Sequence, residues 1–367
     1  MTLPLQGTTI VELQGLGPGP YAGMLLADMG AEVILVRRPG PVIPSPHDRG
    51  KLAVTLDLRT EAGMETVLDL CEHADALFEG LRPGVAERLG VGPDAARARN
   101  PKLVYGRVTG WGQTGPWARV AGHDLNYISI TGALAAVGER GRPPMPPLNF
   151  VGDYGGGSLF LVGGMLAALL RAEKTGEGSV VDAAMIDGVN SMMGVVRMLD
   201  GLGQWTNRRE SNLIDGAMPF YRCYECADGK YVAVACLEPQ FYALFLQLLD
   251  LDPAVFGGQS DPALHSVQHA RLEALFATQP RDHWAELFAG TDACVSPVLD
   301  YTEAPDHPQN RARGGLERHG PFVHPRPAPV FDGVMREPDT TIPGADTGLA
   351  RVSELVGYEV PKSEGHA

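Results

Sequence analysis

Cysteine, lysine and long apolar runs are all scarce in this 367-residue chain. Its cysteines, Cys71, Cys223, Cys226, Cys236 and Cys294, are odd in number and scattered, which excludes a disulfide framework. Cys223-Tyr-Glu-Cys226 has redox or metal spacing, but no further ligands stand near at matching spacing, so no metal site is expected. Lysine supplies only five of the 30 basic residues, an arginine bias spread over the whole chain that reflects codon composition rather than function. A net charge of −14 leaves no excess of positive charge to attract nucleic acid or an acidic membrane surface. No apolar run approaches the roughly eighteen residues of a membrane span, and no basic region followed by an apolar one opens the chain, so a cytoplasmic protein is expected. What remains, 44% hydrophobic and 20% charged, is ordinary globular composition with length enough for two domains.

The first half alternates strand and helix. Thr8 to Leu13 is a β-branched run ending at the turn Gly15-Leu16-Gly17-Pro18-Gly19-Pro20. Helical spacing follows from Tyr21 to Met29, and Val33 to Val36 reads as a second buried strand, completing a βαβ unit. A dinucleotide-binding turn wants glycine where Pro20 stands and an acidic residue at the end of the second strand, where Arg37 and Arg38 stand instead. Arginine there suits a ribose phosphate, whether the 2′-phosphate of NADP or the 3′-phosphate of coenzyme A. Further strands are expected at 53–58, 76–78 and 103–108, with a helix at 61–73. The loops leaving these strands occupy the ligand-binding edge of an open α/β sheet.

Chemistry concentrates in two stretches, Gly122-His123-Asp124-Leu125-Asn126-Tyr127 and Asn149-Phe150-Val151-Gly152-Asp153-Tyr154-Gly155-Gly156-Gly157-Ser158. The first sets a histidine beside a carboxylate. The second puts an aspartate ahead of glycines expected to open an apolar helix at 159–171, whose free N–H groups would face a developing oxyanion. The stretch from Gly188 to Leu202 follows, leading into a linker helix region. Met185, Met192, Met193 and Met198 in this region form either an adaptable wall for an apolar tail or ordinary core. Near residue 219 the texture changes to two antiparallel strands around Asp228-Gly229, then helices at 240–249, 269–278 and 281–289.

Taken together, Glu12-Leu13 with Gly17-Pro18-Gly19-Pro20, Ala27-Asp28-Met29-Gly30-Ala31-Glu32-Val33, Arg38-Pro39-Gly40, Leu56-Asp57-Leu58-Arg59, Arg82-Pro83-Gly84-Val85, Gly112-Gln113-Thr114-Gly115-Pro116, Gly152-Asp153 and His307-Pro308-Gln309-Asn310-Arg311 carry a resemblance. Over essentially its full length the chain resembles the family III CoA transferases and, within them, the alpha-methylacyl-CoA racemases. Transferase members use the aspartate matching Asp153 as a nucleophile; racemase members use it as a base. His123 matches the racemase pattern. The transferases' glycine-rich loop is missing at Val234 to Gln240, where Glu238 matches the racemases' third catalytic residue.

The resemblance implies an α/β protein with a Rossmann-like large domain and a smaller α+β domain in an interlocked homodimer. The large domain spans 1–190 with 325–367 returning to it, the linker helix region 191–218, the small domain 219–318 and the return linker 319–324. Its expected substrate is an acyl-CoA thioester, and no cofactor is needed. His123 and Asp153 are expected to take and return the proton alpha to the thioester, with Asp124 and Glu238 holding His123 in a productive tautomer. Arg38, Leu58, Arg59, Arg82, Arg88, Tyr127 and Gly152 are expected to bind the coenzyme A portion. The rival reaction is transfer of CoA between carboxylic acids through an anhydride at Asp153.

Overall fold

The computed structural model describes residues 2–362. Six strands form one parallel sheet: β1 (Thr9–Leu13), β2 (Glu32–Arg37), β3 (Leu52–Thr55), β4 (Ala76–Glu79), β5 (Val104–Thr109) and β6 (Val180–Ala184). Their order is β3-β2-β1-β4-β5-β6, a doubly wound arrangement with its switch point between β1 and β4. Strands β1, β2, β4 and β5 are buried on both faces, whereas the first residues of the edge strand β6 are exposed. Val11, Ile34, Val54, Leu77 and Tyr105 pack on one face, the side covered by the helix Glu61–His73. Ile10, Val33, Phe78 and Val104 pack on the other face against the helix Pro18–Asp28 and the helix Leu159–Thr175. In chain order these helices are α1 (Pro18–Asp28), α2 (Glu61–His73) and, after α3 (Asp124–Ser129), α4 (Leu159–Thr175).

The edge strand β3 is covered by the returning C-terminal segment, which satisfies its exposed backbone groups. Asp346 Oδ1 accepts the N–H of Thr55, and Thr347 Oγ1 that of Ala53. Arg37 donates from the end of β2 to the carbonyls of Pro343 and Gly344.

Two compact units divide the chain, one of residues 1–133, 147–193 and 308–367, the other of 134–146 and 194–307. The division departs from the sequence reading. Residues 134–146 and 194–218 pack with the small unit, because Arg209 donates to the carbonyls of Ala135, Glu139 and Arg142 and Arg140 to that of Glu210. Residues 308–318 join the large unit, where β10 (Leu316–His319) pairs with β11 (Phe322–Pro325). The small unit holds the antiparallel sheet β7 (Tyr221–Glu225), β8 (Tyr231–Ala235) and β9 (Val295–Val298), the last strand unforeseen in the sequence. Its core is aromatic, built from Phe220, Tyr224, Phe245, Phe276 and Trp284.

The span Gly188 to Leu202 holds parts of two helices, α5 (Met185–Met192) and a second at Gly194–Gly201. Met185 is core, whereas Met192 and Met198 are about half exposed. One local expectation is corrected: a π-helical turn at Phe150–Ser158 runs directly into α4, so the helix begins ahead of Asp153. The resulting helix, Phe150–Thr175, is long and apolar enough to cross a membrane, contrary to the sequence reading. Here Leu161 and Met165 bury its inner face on the sheet.

Candidate active site

His123 caps the N-terminus of α3, where its N–H donates to Asn126 Oδ1 at 3.1 Å. Asp124, the next residue, turns inward and is buried. Its Oδ2 accepts two backbone N–H groups of the π-helical turn, from Gly152 at 2.7 Å and from Asp153 at 2.8 Å. A side chain at Gly152 would place its Cβ 2.6 Å from that oxygen, so the close approach requires glycine. The two stretches picked out in the sequence are thereby tied together. Asp124 was expected to hold the His123 tautomer; instead Oδ2 is spent on the two amides, and buried Oδ1 has no hydrogen-bond partner among the described residues.

The Asp153 carboxylate is half-buried. Burial lifts its pKa above the ordinary value, Asp124 adds in the same direction, and Asn149 and His123 pull it back. Asn149 Nδ2 donates to Oδ2 at 3.3 Å. On another side the carboxylate lies against Gly17, whose φ of +68° no ordinary residue adopts comfortably.

The triple glycine serves packing rather than anion binding. A Cβ on Gly156 would meet Met185 O at 2.7 Å, and one on Gly188 would meet Gly156 O at 2.1 Å. The glycines let α5 approach the π-helical turn backbone to backbone. Their N–H groups lie inside the helix rather than at its head, which overturns the expectation that they face an oxyanion.

Tyr127 fills the space above Gly110 and Gly122 and stands edge-on to Trp111 at 4.8 Å between ring centroids. Its hydroxyl donates to the carbonyl of Gly122, bracing the turn that carries His123. Burial raises its pKa, and the nearby Asp153 does so further.

A cavity of about 840 Å³ opens at the carboxyl ends of β1, β2 and β3, the edge where open α/β sheets bind ligands. Arg38, Leu58 and Arg59 line it, as do Gly17, Asn149 and Tyr154 beside Asp153. Arg38 is exposed, while Arg59 is engaged in a bidentate pair with Asp57, Nε to Oδ1 at 2.9 Å and Nη2 to Oδ2 at 2.7 Å. Arg82 and Arg88 are outside this lining, exposed on the turn and short helix after β4. Arg82 is near enough to Tyr127 to favour its ionised form.

Beneath the cavity is a buried ion pair that sequence reasoning missed. Lys51 Nζ reaches Glu12 Oε2 at 2.7 Å and Asp48 Oδ1 at 3.5 Å. Burial pushes Glu12 up to about 7 despite the lysine. A role for Asn149 was also missed, because the helical turn that sets it four residues ahead of Asp153 was read as a break at the glycines.

In the small unit, Glu238 is exposed at the N-terminus of the helix Pro239–Leu248. Cys226 is buried, and burial pushes its thiol up to about 11, opposite to what a reactive thiolate needs. Among the described residues no group of three or more His, Cys, Asp or Glu could hold a metal ion.

Residues 5–336 match the profile of CoA-transferase family III. An alpha-methylacyl-CoA racemase of Mus musculus is 41% identical over 328 residues, covering 89% of this chain and 86% of the mouse protein. The Homo sapiens protein of the same name is 39% identical, covering 90% of this chain and 87% of its own length. A crystal structure of a CAIB/BAIF family protein from Brucella suis superimposes with a TM-score of 0.79 at 27% identity, covering 97% of this chain and all of that one. A match of this extent, together with a parallel sheet of the same architecture, makes this chain a member of CoA-transferase family III.

Proposed function

We propose that this chain is a racemase interconverting (R)- and (S)-2-methylacyl-CoA thioesters by moving the proton at C2. The observation that supports the reading is the pair of hydrogen bonds from Gly152 and Asp153 to Asp124, which ties the segment carrying His123 to the backbone of Asp153. The names of the mouse and human relatives agree with it.

Inversion at one carbon needs one group to take a proton from one face and another to return a proton to the opposite face. His123 removes the proton of the S epimer while protonated Asp153 delivers to the other face, and the roles exchange for the R epimer. The raised pKa of Asp153 suits a carboxylic acid that must hold a proton for part of the cycle. The C2 proton is much less acidic than either group, so the thioester oxygen needs hydrogen-bond donors as the enolate forms. Asp124 already engages the Gly152 and Asp153 amides, so these two are not the donors to that oxygen.

In this reading the large unit is a Rossmann-like domain whose cavity takes the nucleotide of coenzyme A. Arg38, Arg82, Arg88 and the Leu58-Arg59 turn attend its phosphates and adenosine, and Tyr127 and Gly152 flank the thioester end. The protein acts as an interlocked homodimer in the cytoplasm, with Glu238 of the second copy orienting His123. It needs no cofactor, and neither nucleic acid nor a membrane is a partner. Sedimentation at nanomolar concentration should give a dimer of full activity; an active monomer would end the interlocked proposal.

The deciding experiment incubates one epimer of a 2-methylacyl-CoA in heavy water without any acceptor acid. Deuterium should enter C2 as the configuration scrambles. CoA transfer that appears only when an acceptor carboxylate is added, with no deuterium at C2, would favour a transferase working through an anhydride at Asp153.

A further inference from the structure

We infer that Asn149 is a positioning residue that holds Oδ2 of Asp153 and leaves Oδ1 as the oxygen that exchanges the proton with the substrate. The inference rests on the racemase reading and assigns work within that site.

Two independent features single out Oδ2. Asn149 Nδ2 donates to it at 3.3 Å. On the far side, the same oxygen lies closest to Gly17: a Cβ built there would stand 2.9 Å from Oδ2 and 3.7 Å from Oδ1. The carboxylate is therefore held at one oxygen by an amide donor, on the side that faces a backbone with no room for a side chain. Asn149 itself is fixed because its carbonyl accepts the N–H of Tyr154 at 3.3 Å, closing the first π-helical turn. It also lines the cavity, so donor, carboxylate and ligand space are contiguous.

The chemistry follows from which lone pairs remain. Oδ1 takes the C2 proton of the R epimer while the C–H electron pair moves into the enolate; in the other direction Oδ1 carries the proton that is delivered to C2 as the enolate collapses. A carboxylate rotating freely would present either oxygen, and a loss of alignment of about 1 Å costs on the order of a hundredfold in rate. The other groups acting on Asp153 are His123, Asp124 and Tyr127 from α3 and its cap, and of these only His123 favours the ionised form as Asn149 does.

The test compares the full-length protein with Asn149→Ala and Asn149→Asp in the racemisation assay across pH, following kcat and KM separately. Both variants should lose about tenfold or more in kcat with KM for the thioester within about twofold, because the lost contact matters to proton transfer and not to ground-state binding. The acid limb of the rate profile should move to higher pH in both, and further in Asn149→Asp, where a like charge replaces the donor. Asn149→Asp has the same size as the native residue and decides the matter should the alanine variant fail to fold. Unchanged kcat, or an unmoved acid limb, in an enzyme whose wild type racemises would overturn the assignment. A wild type that shows no exchange at all overturns the racemase reading and this inference with it.

Discussion

Asp124 Oδ2 accepts the backbone N–H of Asp153 at 2.8 Å, so the residue next to one candidate base fixes the main chain of the other. The two bases are about thirty residues apart in sequence, and this contact, with its twin at Gly152, is what sets their separation.

Replacing Asp124 should separate geometry from charge. In Asp124→Asn the amide oxygen can still accept both N–H groups, while the charge that raises the Asp153 pKa is gone. The acid limb of the rate profile should fall to lower pH with a modest loss of kcat. Asp124→Ala leaves two amides unsatisfied and should cost about 2 kcal/mol of stability or more as well as activity. Equal behaviour of the two variants in urea melts and pH profiles would contradict the clamp.

Asp153 should limit stability at neutral pH. Burial raises its folded pKa above the ordinary aspartate range, so the stability it contributes is present below the unfolded pKa and is lost as pH rises through the folded one. At pH 7 the ionised group therefore destabilises the fold. Asp153→Asn should raise Tm by about 1–3 °C at pH 7 while abolishing exchange, and the gain should shrink near pH 4. A lower Tm at pH 7 would refute this.

The arginines of the cavity should not contribute equally. Arg38 is exposed at the end of β2, whereas the Arg59 guanidinium is already engaged by Asp57. Arg38→Ala should raise KM for the CoA ester about tenfold with kcat unchanged, as expected for a lost phosphate contact of about 1.4 kcal/mol. Arg59→Ala should raise it less. The reverse order in steady-state kinetics would show that Asp57 releases Arg59 to the ligand.

Gly23 stands over the buried pair, where a Cβ would lie 1.9 Å from Glu12 Oε2 and 2.8 Å from Lys51 Nζ. Gly23→Ala must push the two apart, and breaking a buried pair costs about 3–5 kcal/mol. Urea unfolding should reveal a loss of that order, and a loss under about 1 kcal/mol would mean that the pair relaxes without breaking.

Much of the fold was legible because it is locally encoded. The β-branched runs that became β1, β2 and β5 and the Asp228-Gly229 hairpin depend on neighbours within a few residues. So does the existence of a helix after Asp153; its start was misplaced because glycines read as a break when here they serve close packing against α5. The third strand β9 was hidden because its pairing with β8 is set some sixty residues away, and Val295–Val298 has little strand signal alone.

Residue chemistry alone picked out His123, Asp124 and Asp153 as titratable groups, and local pattern gave the strands and helices that carry them. Side-chain identity and short-range periodicity are properties of the chain itself, so these were fixed before folding. Only the tertiary structure decided what Asp124 touches, that Arg59 is occupied, that Lys51 is buried against Glu12, and that Asn149 and Gly17 hold one oxygen of Asp153. Each of these depends on a hydrogen bond, an ion pair or a close approach, set by how the chain brings its parts together in three dimensions.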